Sequence, residues 1–116
     1  MRRGNKRKFG REIQARKALL KSLVTALISH GSITTTLARA KTLKVITEKL
    51  LTRAKNPSIA SRRLLSQSIG TKAVSKLIQT IAPMHTTRSG GCIRVTRLGQ
   101  RPSDGAEIAR IEFVAP

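Results

Sequence analysis

The sequence predicts an α+β fold: four helices packed on a small three-stranded sheet, preceded by a basic, extended N-terminal arm. Three observations carry this. Apolar residues recur at three- and four-residue spacing from residue 12 to residue 81. Alternating or β-branched runs stand at residues 32–36, 92–98 and 106–114. The first eleven residues hold six Lys or Arg and almost nothing apolar. A chain of 116 residues suits one domain, 12–116, behind an arm, 1–11.

The arm reads MRRGNKRKFGR. Arg2, Arg3, Lys6, Arg7, Lys8 and Arg11 repel one another, and Gly4 and Gly10 loosen the backbone, so the segment is expected to order only against a polyanion. Residues 12–30 follow as an amphipathic helix. Ile13, Leu20, Val24 and Leu27 set its stripe, Leu19, Leu23 and Ile28 widen it, and Gly31 suits the position after its last turn. Arg16, Lys17 and Lys21 continue the basic surface of the arm.

SITTT, 32–36, reads as a short strand, with Thr35 or Thr36 capping the next helix at 37–55. Leu37, Ala40, Leu43 or Lys44, Ile46 or Thr47, and Leu50 mark its inner stripe. Arg39, Lys41, Lys44, Lys49, Arg53 and Lys55 surround the rest, and Glu48 is its one acid. Asn56-Pro57-Ser58 stops it. A shorter helix, 59–68, carries Ile59, Leu64, Leu65 and Ile69. Gly70 breaks it, and Thr71 can cap a fourth helix packed through Val74, Leu77, Ile78 and Ile81 and ended by Ala82-Pro83.

Arg88-Ser89-Gly90-Gly91 reads as a basic turn into two strands. In the first, 92–98, Ile93 and Val95 oppose Arg94 and Thr96. After a loop at 99–105, the second, 106–114, places Ala109, Ile111 and Phe113 opposite Arg110 and Glu112. Two strands alone are marginal, so the early SITTT strand is expected to join them.

Charge narrows the function. Lys and Arg number 24 against 5 Asp and Glu, a formal +19. Such a domain repels itself until a polyanion neutralises it, and phosphate backbone gains further from counterion release. Aromatic residues make up 2% of the chain, which disfavours a stacking platform for single-stranded bases and favours shape and backbone recognition of folded RNA. Architectural DNA binding and an anionic membrane surface are the rival partners; the first predicts bending of long duplex, the second an aromatic-bearing amphipathic face that two Phe supply poorly. No apolar run reaches eighteen residues, and no apolar segment follows the basic start as a secretory signal requires.

Chemistry is not expected. His30 and His85 flank different elements, and Cys92 cannot form an internal disulfide or a multi-thiolate metal site by itself. A Cys92–His85 nucleophile would need a third orienting group, so Cys92 is taken as an inert, partly buried thiol. Glu12, Glu48, Asp104, Glu107 and Glu112 have no metal-ligand spacing, and Asp104-Gly105 suits a turn. Gly70-Thr71-Lys72 lacks the earlier glycine of a phosphate-binding loop. No catalytic residue, metal, cofactor or small-molecule substrate is predicted. The expected RNA contacts are the six arm cations with Arg16, Lys17, Lys21, Arg39, Lys41, Arg62, Arg63, Arg88, Arg94 and Arg97. Arg39 and Lys41 begin a helix, where unpaired amides also favour anions. Residues 88–91 can either lay amides against a phosphate or simply enter the hairpin.

Four stretches resemble the bacterial-type large-subunit ribosomal protein L17 family. The first is RKALLKSLVTALISH at 16–30. The second is ITTTLARAKTLKVITEKLLTRAK at 33–55, whose TT-x-A-x-AK core is the most specific. The third is 56–65, where Ser61-Arg62-Arg63 is similar to the family's NRR. The fourth, RSGGCIRVTRLGQRPSDGAEIARIEFV at 88–114, is similar to the family's RxGGYTRI stretch, its glycine-arginine turn and its terminal strand ending in ELV. Gly31 stands where the family usually has an acid, Cys92 where it has tyrosine, and Met84-His85 where an arginine and an aromatic are common; residues 101–108 depart from RxGDxAxM. The resemblance implies a structural constituent of a bacterial cytoplasmic or organellar ribosome. It would be docked on large-subunit rRNA with neighbouring ribosomal proteins near the peptide exit side.

Overall fold

The computed structural model describes residues 13–56, 58–85 and 91–114. Helix α1 (Ile13–His30) ends where Gly31 turns left-handed, φ +81°; its N–H donates to the Leu27 carbonyl at 2.7 Å. Glycine adopts that conformation without the Cβ clash other residues meet. The Gly31 carbonyl then accepts from Phe113 N–H at 3.2 Å, so the residue that closes α1 also seats strand β1 (Ser32–Thr36).

Thr36 caps α2 (Leu37–Ala54), its hydroxyl accepting from Arg39 N–H at 3.4 Å. Leu37, Ala40, Leu43, Thr47, Leu50, Leu51 and Ala54 form the buried stripe, which resolves the two ambiguous positions in favour of Leu43 and Thr47. Ser58 caps α3 (Ile59–Ser68) by accepting from Ser61 N–H at 3.1 Å. Leu65 and Ile69 are buried here, but Ile59 is 72% exposed and Leu64 45%. Ile13, expected inside α1, is 58% exposed. Apolar spacing identifies a helix face, but burial needs a second element over it.

The fourth helix, α4, departs from expectation at both ends. Gly70 holds the cap position with no side-chain bond, and Thr71 is the first helical residue. The helix runs through Thr71–Lys76, widens into a π turn at Leu77–Ile81, and continues over Ala82–Met84 despite Pro83. Ala82 N–H donates to the Leu77 carbonyl five residues back. Proline lacks an N–H and crowds the carbonyl four residues earlier; a widened turn ahead of it relieves both demands.

Strands β2 (Ile93–Gln100) and β3 (Glu107–Phe113) pair antiparallel, and β1 adds to the other side of β3, giving the order β1-β3-β2. Thr34 and Thr96 flank Arg110, and Ile33 and Val95 flank Ile111. The expected strand end at 98 is passed: a bulge between Arg97 and Gly99, with Gly99 at φ +114°, carries β2 on to Gln100 opposite Glu107. The loop therefore shortens to residues 101–106. Helix α2 packs on all three strands, α1 on β1 and α4, and α3 on α2 and α4. Val24, Leu27, Leu43, Leu51, Leu65, Ile69, Leu77, Ala109 and Ile111 fill the space between at 1% exposure or less. Each large side chain removed from water there stabilises the fold by roughly 1.5–3 kcal/mol before ordering costs.

Candidate nucleic-acid interface

Seven of the sixteen expected RNA contacts, Arg2, Arg3, Lys6, Arg7, Lys8, Arg11 and Arg88, lie outside the described residues, as does the basic turn before residue 91. The other nine stand on four elements. Arg16 is half-buried and Lys17 and Lys21 are exposed on α1. Arg39 is half-buried and Lys41 exposed in the first turns of α2. Arg62 and Arg63 are exposed on α3, and Arg94 and Arg97 on β2. Neither α2 nor α3 carries an acid in its first turn, so their positive ends stay uncompensated.

The structure adds cations that were not assigned to the site. The buried stripe of α2 turns Lys49 and Arg53 outward together with Lys41, and Lys44 and Lys55 are half-buried beside them. Their signal was present in the sequence as the complement of the apolar stripe. Lys72 is exposed on α4. Lys76 has a structural role: its ammonium donates to the Ser29 carbonyl at 2.7 Å, a cation at the negative end of α1 that ties α4 to it.

Charge is unevenly shared. Residues 13–85 hold thirteen cations (Arg16, Lys17, Lys21, Arg39, Lys41, Lys44, Lys49, Arg53, Lys55, Arg62, Arg63, Lys72 and Lys76) against the single acid Glu48, a net +12. Residues 91–114 hold Arg94, Arg97, Arg101 and Arg110 against Asp104, Glu107 and Glu112, a net +1. Both ion pairs among the described residues fall in this second part. Arg94 reaches Glu112 across the strands at 3.3 Å, and Arg101 grips both Asp104 oxygens at 2.9 and 2.7 Å. The Arg101 hydrogen bonds, then the Ala106 N–H, hold the Asp104 carboxyl down at about 2.

The remaining polar chemistry is sparse. Cys92 is buried, with the Lys55 ammonium 3.9 Å from its sulfur. Both line a shallow depression of about 230 Å³ between α2 and the start of β2, with Val45, Glu48, Lys49, Leu51 and Thr52. His85 is buried, its ring 6.3 Å from that of Phe113 and tilted by 34°. Among the described residues no three His, Cys, Asp or Glu gather to hold a metal ion, and no helix is long and apolar enough to cross a membrane.

Residues 19–114 match the protein family described as Ribosomal protein L17. Among curated proteins, the chain is 47% identical to the large ribosomal subunit protein bL17 of Thermomicrobium roseum, over 94% of each chain. It is 42% identical to that of Gemmatimonas aurantiaca, over 93% of this chain and 92% of the other. With that of Bdellovibrio bacteriovorus it shares 44% identity over 91% of this chain but 59% of the relative, which is longer.

Proposed function

The chain belongs to the ribosomal protein L17 family, and from that premise we propose that it is a structural constituent of the large ribosomal subunit that binds rRNA through its phosphate backbone. The observation that carries the reading is the helical part's net +12, thirteen cations around one glutamate. Few intramolecular partners exist for these charges, so an external polyanion must neutralise them, and each phosphate contact releases counterions. The cations of α1, α2 and α3 hold the RNA, with Arg2, Arg3, Lys6, Arg7, Lys8, Arg11 and Arg88 extending the contact along adjoining segments. Arg94 and Arg97 contribute from the sheet, Arg94 less because Glu112 already engages it.

In this reading the domain turns over no substrate and takes no cofactor. It fixes the spacing of RNA segments, beside other ribosomal proteins near the peptide exit side. The bacterial sources of its relatives favour a bacterial cytoplasmic ribosome. The test is sucrose-gradient sedimentation of a gentle lysate with high-salt washes. One-to-one co-migration with the large subunit is the expected result; recovery on DNA, on membranes or free of ribosomes would overturn it.

A further inference from the structure

We propose that the end of the β2–β3 hairpin, residues 98–107, docks a basic segment of a neighbouring protein rather than RNA. The proposal rests on the ribosomal reading above and adds a partner class to one surface of it. The hairpin end projects beyond the rest of the sheet. Strand β1 stops pairing at Thr36 opposite Ile108, while β2 and β3 pair on to Gln100 opposite Glu107. Every residue from Arg97 to Gly105 is exposed.

This projection is nonetheless held firmly. Arg101 N–H donates to the Ala106 carbonyl and Gly105 N–H to the Arg101 carbonyl, both at 2.8 Å. The Arg101 guanidinium clamps Asp104, whose Oδ1 also accepts from Ala106 N–H at 3.1 Å. A turn fixed in advance loses little conformational freedom on binding, which favours specific docking.

Its charges select the partner. Arg101 is neutralised by Asp104, so a phosphate arriving there gains little counterion release. Glu107 is exposed and forms no ion pair among the described residues, and it would repel a phosphate backbone. Leu98, at the bulge of the same hairpin end and 49% exposed, offers apolar area that a phosphate cannot use. A protein segment bringing Lys or Arg to Glu107 and an apolar side chain to Leu98 satisfies both.

The test uses the full chain in intact large subunits. Leu98→p-benzoylphenylalanine places a photoreactive group on the hairpin end, and Ile59→p-benzoylphenylalanine, three residues before Arg62, places one on α3. After irradiation of purified subunits, position 98 is expected to label another protein, within a segment bearing Lys or Arg, and position 59 to label rRNA. Glu107→Lys should lower the adduct at 98 by about fivefold or more, and Glu107→Gln by less. Labelling of rRNA or of a second copy of this chain from position 98, or no adduct there, overturns the proposal. If position 59 still labels rRNA, the ribosomal reading survives that failure. Absence of both variants and of the unmodified chain from large subunits would overturn the two together.

Discussion

The helices and the hairpin carry different kinds of cation. All eight lysines of the described residues, from Lys17 to Lys76, lie in the helical part, and the hairpin uses arginine alone. Lysine is a compact point charge on a flexible stem, suited to an atmosphere of phosphates. Arginine offers a planar fork that fits a carboxylate in one orientation. The hairpin pairs two of its four arginines with its own acids, Glu112 and Asp104. The helices have a single acid for thirteen cations. Neighbouring segments of one small fold thus differ in kind, one carrying excess charge and one a shape fixed by internal pairing.

The harshest way to break the comparison is to break the joint. Leu43 is fully buried on α2, the helix that packs on every strand. Leu43→Ala should cost about 2–5 kcal/mol in urea unfolding and loosen both regions together. Leu98→Ala on the hairpin end should stay within about 0.5 kcal/mol. Loss of the helices with retention of the hairpin in Leu43→Ala would show that the regions do not share a core.

Charge removal comes next. Changing Arg16, Lys17, Lys21, Lys41, Arg62 and Arg63 to Gln should weaken binding to large-subunit rRNA by about 100-fold at moderate salt. It should also flatten the log–log salt dependence by about 4–5 units. The matching change of Arg94, Arg97, Arg101 and Arg110 should flatten it by fewer than about 2 units. Equal slopes for the two sets would erase the division of labour.

Smaller effects sharpen it. Gly99 sits at φ +114°, where a β-branched side chain is strained, so Gly99→Val should cost about 1–3 kcal/mol and disturb the hairpin end first, visible as faster amide exchange at residues 100–107. In the helical part, Thr47 is fully buried and its hydroxyl has no hydrogen-bond partner among the described residues. Thr47→Val should therefore stabilise by about 1 kcal/mol in thermal unfolding; a loss of stability would mean that the hydroxyl is satisfied. Smallest is the acid response of the turn. Asp104 titrates at about 2 when folded, below an unfolded carboxyl near 3.8. Its stabilising contribution is present above the unfolded value and is lost as pH falls through about 2. An NMR titration of Asp104 should place the midpoint there, and Arg101→Gln should raise it.

Much of this was legible from local chemistry. The bounds of α2 follow from Thr36, which caps it, and from Asn56-Pro57, which stops it, both acting within a few residues. The alternation of Ile93 and Val95 with Arg94 and Thr96 identifies a half-covered strand wherever it lies. The π turn was not legible, because Leu77–Ile81 has ordinary helical spacing and its widening answers to Pro83 and to packing together. The bulge at Gly99 depends on a register that only pairing with β3 defines. The same limit applied to the site. Residue types identify the cations, but Arg94 meets Glu112, eighteen residues away, only through strand register.

The strand order carries a consequence for biosynthesis. The central strand, β3, is the last of the described elements to be made, yet both β1 and β2 hydrogen-bond to it and not to each other. During translation β1 must wait some seventy residues for its partner, from Thr36 to Glu107, and contacts so distant in sequence slow folding. Until β3 emerges, the sheet face of α2 has no finished surface to rest on. A ribosome stalled before residue 107 would leave a nascent chain with two strand edges open and the sheet-facing part of the α2 stripe uncovered, features that invite aggregation. β3 is thus the strand on which the sheet depends, since β1 and β2 have no hydrogen-bonded neighbour in it without β3.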